Sequence, residues 1–209
     1  MLWLDENSKK CEVAEMVKLA SAMRFQNKEV HEWLAASLRF EAIDVARGDG
    51  LDVATFHLPP GGKHLLKLIS SWSRMRKLNC LGMYHLLANM EAQPIKAAPA
   101  IVAIVTDQAA GSGFNAGRLM QQVWLALNQA GLAVQPYYVV SDQLQRLKHG
   151  QQHPAHLAQA QQLQLMGTRV LGLKEGQSLA MLLRIGSPTV DPVRSRRLPL
   201  DQIAHTPKA

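Results

Sequence analysis

The stretch from Asn115 to Val140, NAGRLMQQVWLALNQAGLAVQPYYVV, restricts the fold more than any other part of the chain. Leu119, Val123, Leu127 and Ala130 recur at three- and four-residue spacing, with Ala116, Met120 and Trp124 beside them. A stripe of about four turns that covers most of the circumference predicts an α-helix inside a domain rather than on its surface. Gly131 then offers the left-handed residue that ends a helix. Val134 to Val140 supplies the β-branched and aromatic residues of a strand. A helix that feeds at once into a sheet leaves a corner near the middle of the fold, and ligands are often held at such corners. The plainer reading of the same pattern is a hydrophobic core unit with no ligand.

With 209 residues, 47% of them hydrophobic, the chain is long enough to build one ordinary domain with a sizeable core, or a domain with an appendage. That apolar content excludes a disordered chain. No run approaches the roughly 18 uninterrupted apolar residues of a transmembrane helix. The opening MLWLDENSKK carries acids where a secretory leader has basic residues, so the expectation is a cytoplasmic protein without a membrane partner. Cys11 and Cys80 share no metal-ligand or redox spacing and are expected to be free thiols.

The formal net charge of +7 raises the question of a polyanionic partner. Lys63, Lys67, Arg74, Arg76 and Lys77 form an acid-free run, and Arg194, Arg196 and Arg197 form a tighter knot among prolines. The first group reads as a solvated helix face. With no aromatic platform and no recognised nucleic-acid module, nucleic acid is not the expected partner.

Helices are predicted from Asn7 or Ser8 to about Phe25, from about Asn27 through Leu38, over Leu65–Trp72, and over Met83–Glu91. The turn ARGDGLD (46–52) separates the second helix from Leu58-Pro59-Pro60-Gly61-Gly62, the strongest break in the chain. Asp44, Asp49 and Asp52 lack the spacing of a calcium loop. Ala100–Thr106 is apolar at every position up to Thr106 and predicts an inner strand. The connection DQAAGSG (107–113) resembles a phosphate cradle in outline, but it lacks the lysine of a P-loop and the spacing of a dinucleotide fingerprint. Beyond the central strand, a short helix from Ser141 to Leu147 and a glutamine-rich helical segment over 151–164 are expected, the latter with Leu157, Leu163 and Leu165 in register. His149, His153 and His156 are interrupted by Pro154 and joined by no acid or cysteine, which argues against zinc. Met181–Gly186 predicts a further strand. Pro188, Pro192 and Pro199 keep the tail extended.

The helix ending in GLAVQPYYVV, the strand MLLRIG and the proline-rich tail with Arg-Ser-Arg-Arg-Leu-Pro-Leu together resemble the C-terminal half of the FMN-dependent nitroreductases. The segment through EAIDVARGDGLD is similar to a branch of that family in which extra lid-like helices follow. The resemblance implies an α+β fold, a mixed sheet flanked by helices with an extended C-terminal arm. It implies a single domain over residues 1–209, incomplete at its N-terminus, with 48–93 as a lid-like helical insertion. It further implies a homodimer with FMN at the interface, passing hydride from NAD(P)H to a small-molecule electron acceptor. In that reading Pro136, Tyr137, Tyr138 and Val139 match the segment that runs along the isoalloxazine ring, where a backbone N–H faces the flavin N5 region. Arg194, Arg196 and Arg197 match the basic tail that holds the FMN phosphate, a task suited to guanidinium forks.

Two departures accompany the resemblance. Val139 stands where many members have glycine. The family's basic, serine-containing first segment and a later Asn-containing loop have no counterpart here, so the match opens at the family's middle. The expected partner is therefore a second copy or a chain that supplies the missing half. The alternative is a non-catalytic member that acts as an interaction partner.

Overall fold

In the computed structural model, residues 1–107, 109, 111–191, 193–194 and 198–203 are described. They divide into two compact units, Met1–Asn27 with Leu81–Thr189, and Lys28–Cys80 with Val190–Ala209.

The first unit opens with strand β1 (Leu2–Leu4) and helix α1 (Asn7–Phe25). Val13, Met16, Val17, Ala20 and Met23 are buried along one face of α1, as their spacing predicts. The second unit contains α2 (Lys28–Ser37), β2 (Leu38–Arg39), α3 (Ala42–Val45), β3 (Leu51–Asp52), α4 (Gly62–Ile69) and α5 (Trp72–Asn79). Leu38, Val53, Ile69 and Met75 are its buried hydrophobic residues. The β2–β3 pairing is parallel. Gly50, at φ +74°, turns the chain into β3 where a Cβ would lie 2.4 Å from the Ser37 carbonyl oxygen, so only glycine fits. The basic run falls on α4 and α5. Lys63 and Lys67 lie 3.7 and 3.5 Å from Glu41, and Arg74, Arg76 and Lys77 are exposed, which makes this a solvated face.

The chain re-enters the first unit through α6 (Met83–Ala97), which runs past its expected end at Glu91 and carries Pro94 inside it. Proline removes a donor to the carbonyl four residues back, that of Met90, and Met90 is exposed, so water can take the bond. Burial of Ala92 and Ile95 beyond that point keeps the segment helical. Strand β4 (Ala100–Asp107), helix α7 (Ser112–Gln129), strand β5 (Ala133–Tyr137), helices α8 (Val139–Lys148) and α9 (Leu157–Leu171) and strand β6 (Gln177–Gly186) complete the unit. A four-residue helix, α10 (Leu200–Ile203), follows in the tail.

The sheet order is β1-β4-β6-β5 and all three pairings are antiparallel, so no mixed character arises within this sheet. Strands β4 and β5 therefore point the same way with β6 between them. Alternate residues separate the two faces. Ile101, Ala103, Leu182 and Tyr137 join α1, α6, α8 and α9 in the larger core, while Val102, Ile104, Leu183 and Ile185 form a second cluster with α7. A bulge at Ala180, between the pairs Val105–Leu179 and Ile104–Met181, shifts the register near the end of β4.

Three expectations change here. Helix α7 is a surface helix. Leu119, Met120, Val123 and Leu127 pack on the sheet as predicted, but Phe114 is 72% and Leu125 55% exposed. Strand β5 stops at Tyr137 rather than Val140. Val139 and Val140 are buried in the first turn of α8, where packing overrides their β preference. On α9 the buried stripe is Ala160, Leu163, Gly167, Val170 and Leu171, whereas Leu157 and Leu165 face solvent. Small residues admit a close neighbour, and a reading weighted by side-chain hydrophobicity passes over them.

His156 begins α9 with its ring buried and its Nδ1 without a partner, next to the His153 ring at 5.7 Å. Burial, and then His153, hold its pKa below the ordinary histidine value. The unfolded chain therefore takes up the proton first. Stability from this group is present above about pH 6.5 and is lost as the pH falls from there toward the lower folded value. Urea midpoints at pH 7.5 and 5.5 should show a smaller drop for His156→Gln than for the wild type, and equal drops would reject the assignment.

Candidate functional site

A cavity of about 450 Å³ opens at the end of the sheet where β4 and β5 terminate. Strand β4 leads into α7 on one face of the sheet and β5 into α8 on the other. Thr106 and Asp107 from β4, Ser112, Gly113 and Met120 from α7, Tyr138, Ser141, Gln145 and Lys148 from the α8 side, and Ser178 to Met181 from β6 line it. A shallower hollow on the other flank of α7 shares Thr106, Asp107, Ser112 and Ala116.

Local bonds hold this corner. Thr106 Oγ1 donates to the Ser112 carbonyl at 3.2 Å, tying the strand end to the first turn of α7. That helix begins after Gly111 at φ +77°, has no side-chain cap and has no acid in its first turn. Helix α8 starts one residue beyond β5, and Asp142 N–H is the first to reach back, donating to Tyr138 O at 2.9 Å. The N–H groups just before it lie in the first turn, where a helix offers no internal acceptor. Asp142, the acid of that turn, is engaged by Arg146 Nε at 2.9 Å and Gln143 Nε2 at 3.1 Å. Ser141 is 1% exposed and its Oγ has no hydrogen-bond partner.

The predicted flavin residues separate according to the pleat. Tyr138 is exposed and lines the cavity. Tyr137 points the other way, into the larger core. Burial raises its hydroxyl pKa, Arg184 opposes that shift, and Glu91 adds to it. Val139 is buried beside Tyr137 in that core, and Pro136 is exposed on the strand. Arg194 is exposed and belongs to the second unit. Arg196 and Arg197 lie outside the described residues. Sequence reading missed Thr106, Ser141, Gln145, Lys148 and Ser178, which are spread over three elements with no shared period. The Gly-Ser-Gly outline was the one available signal, and Ser112 and Gly113 do reach the cavity.

Elsewhere the acids of the first turn region are already engaged: Arg39 Nε donates to Asp49 Oδ1 at 3.0 Å, and Arg47 lies 3.4 Å from Asp44. Both cysteines are free thiols. Among the described residues, no helix is long and apolar enough to cross a membrane.

No protein-family model matches the chain, and no solved structure does. It is similar to the uncharacterized protein MT1398 of Mycobacterium tuberculosis (strain CDC 1551 / Oshkosh), with 27% identity over 124 residues, 59% of this chain. The match spans 17% of that protein's length, so the chain corresponds to a minor part of the relative.

Proposed function

We propose that this chain is a nitroreductase-like flavin oxidoreductase domain that uses FMN to pass hydride from NAD(P)H to an organic acceptor. The observation that carries the reading is the junction at Tyr138. A strand ends and a helix begins within two residues, at the wall of a cavity large enough to bury an organic cofactor. FMN suits this donor set. First-turn N–H groups of α8 are neutral donors that do not titrate, and Tyr138 offers an aromatic face. Bound there, the flavin would supply the two-electron chemistry, while the chain binds it, orients it and keeps water from its face. The exposed outer face of α7 suits a second copy of the chain.

Titration with FMN should give a saturable shift of the flavin absorbance and quenching of its fluorescence. Tyr138→Ala, at an exposed position, should leave stability within about 0.5 kcal/mol and weaken FMN about tenfold. Protein that stays colourless through the titration ends the flavin reading. The alternative is an interaction partner without catalysis, which the exposure of Phe114 and Leu125 on the outer side of α7 favours. It predicts a stable complex with a second chain, detected by light scattering, in protein that binds no flavin.

A further inference from the structure

We infer that the cavity at the strand ends contains an anion site of its own, which takes the carboxylate or phosphate of a small organic molecule. The first turn of α7 is the starting point. The helix is 18 residues long, and its N-terminus has neither a side-chain cap nor an acid, so N–H groups and the positive end of the helix dipole are left for a ligand. Gly113 and Gly117 line the cavity, and a Cβ on either would meet nothing within 4 Å, so the backbone there can be approached closely.

Ser141 supplies an independent observation. It lines the same cavity from α8, it is 1% exposed, and its Oγ has no partner. A buried hydroxyl left unpaired is costly, and a ligand oxygen in the cavity would satisfy it. Lys148, at the C-terminal end of α8, is the one cation among the described lining residues and is exposed. Asp107 is the one carboxylate among them. It opposes an anion and sets the expected sign of a third variant.

The site shares its cavity with the junction at Tyr138 but rests on the first turn of α7 and on Ser141, and it does not depend on flavin. The test is calorimetric titration of the full chain with inorganic phosphate and with phenyl phosphate. Ser141→Ala and Lys148→Gln should each weaken binding about tenfold, the loss of one hydrogen bond to a charged group. Asp107→Asn should tighten it severalfold. Without ligand, Ser141→Ala should melt at or above the wild-type temperature, because it deletes an unsatisfied hydroxyl, so weaker binding cannot be put down to misfolding. Repeating the titration with saturating FMN or riboflavin separates two sources of the anion. Phosphate displaced by FMN alone identifies the flavin's own phosphate, and phosphate still bound identifies a separate anionic substrate. Affinity unchanged in both Ser141→Ala and Lys148→Gln, or no heat at millimolar phosphate, overturns the inference. Protein that binds phosphate and never FMN keeps it and ends the flavin reading.

Discussion

Leu182→Ala should lower the unfolding free energy by about 2–5 kcal/mol, the range for a buried leucine whose cavity collapses only partly. Leu182 is fully buried at the centre of the sheet, where its neighbours across the strands are Ala103 on β4 and Tyr137 on β5. It belongs to the core that joins the sheet to α1, α6, α8 and α9, so the lost contacts reach every layer on that face. For a domain whose total stability is on the order of 5–15 kcal/mol, the loss should be visible as a large fall in urea midpoint with little change in slope. Leu165→Ala is the matched control. It removes the same atoms from a residue that is 72% exposed on α9 and should change stability by no more than about 0.5 kcal/mol. Similar losses for the two variants would mean that the assignment of faces on α9 is wrong.

The second large effect is expected at Glu91. Arg24 Nη2 donates to Glu91 Oε2 at 2.7 Å, linking α1 to α6, and the two side chains are 26% and 22% exposed. Arg24 Nε is buried without a partner. Glu91→Ala strands the guanidinium in a partly desolvated site, which should cost about 2–3 kcal/mol. Removing both charges, with Arg24→Met and Glu91→Leu together, should recover most of that loss, because an apolar pair avoids the desolvation that the ions incur. A double-mutant cycle by urea unfolding gives the coupling. The Tyr137 hydroxyl gives a second readout. The Glu91 carboxylate helps to raise its pKa, so the single variant should shift the tyrosine titration downward. Additive losses in the cycle would show that the pair is not coupled and would assign the single-variant loss to packing.

How much of this could be read in advance depends on which interactions decide each element. The period of α1 and the apolar run of β4 survive intact, because burial on one or both faces is written in residues that are neighbours along the chain. Strand β1, with only three residues, has no period to show and exists through pairing with β4. The error at α7 has a different origin. Apolar residues around most of a helix predict burial all round, yet only one side of α7 meets the sheet. The end of β5 was misplaced because Val139 and Val140 favour strands intrinsically, while their buried environment rewards a helical turn. The candidate site was least legible. Ser141 and Lys148 show nothing locally that sets them apart from any helix residue, and their interest comes from the cavity they share with Ser112 and Thr106.

The sequence alone determined most of the segments that coil and extend, together with the inner faces of α1 and α7, since these follow from local sterics and from the spacing of apolar side chains. Tertiary structure alone decided that β6 enters between β4 and β5. Side-chain alternation selects the face of a strand but not its hydrogen-bonded neighbour, and backbone N–H and C=O groups pair with any strand that arrives in register. That choice of neighbour sets the ends of β4 and β5 on either side of the start of β6. It thereby brings the first turns of α7 and α8 to a common cavity.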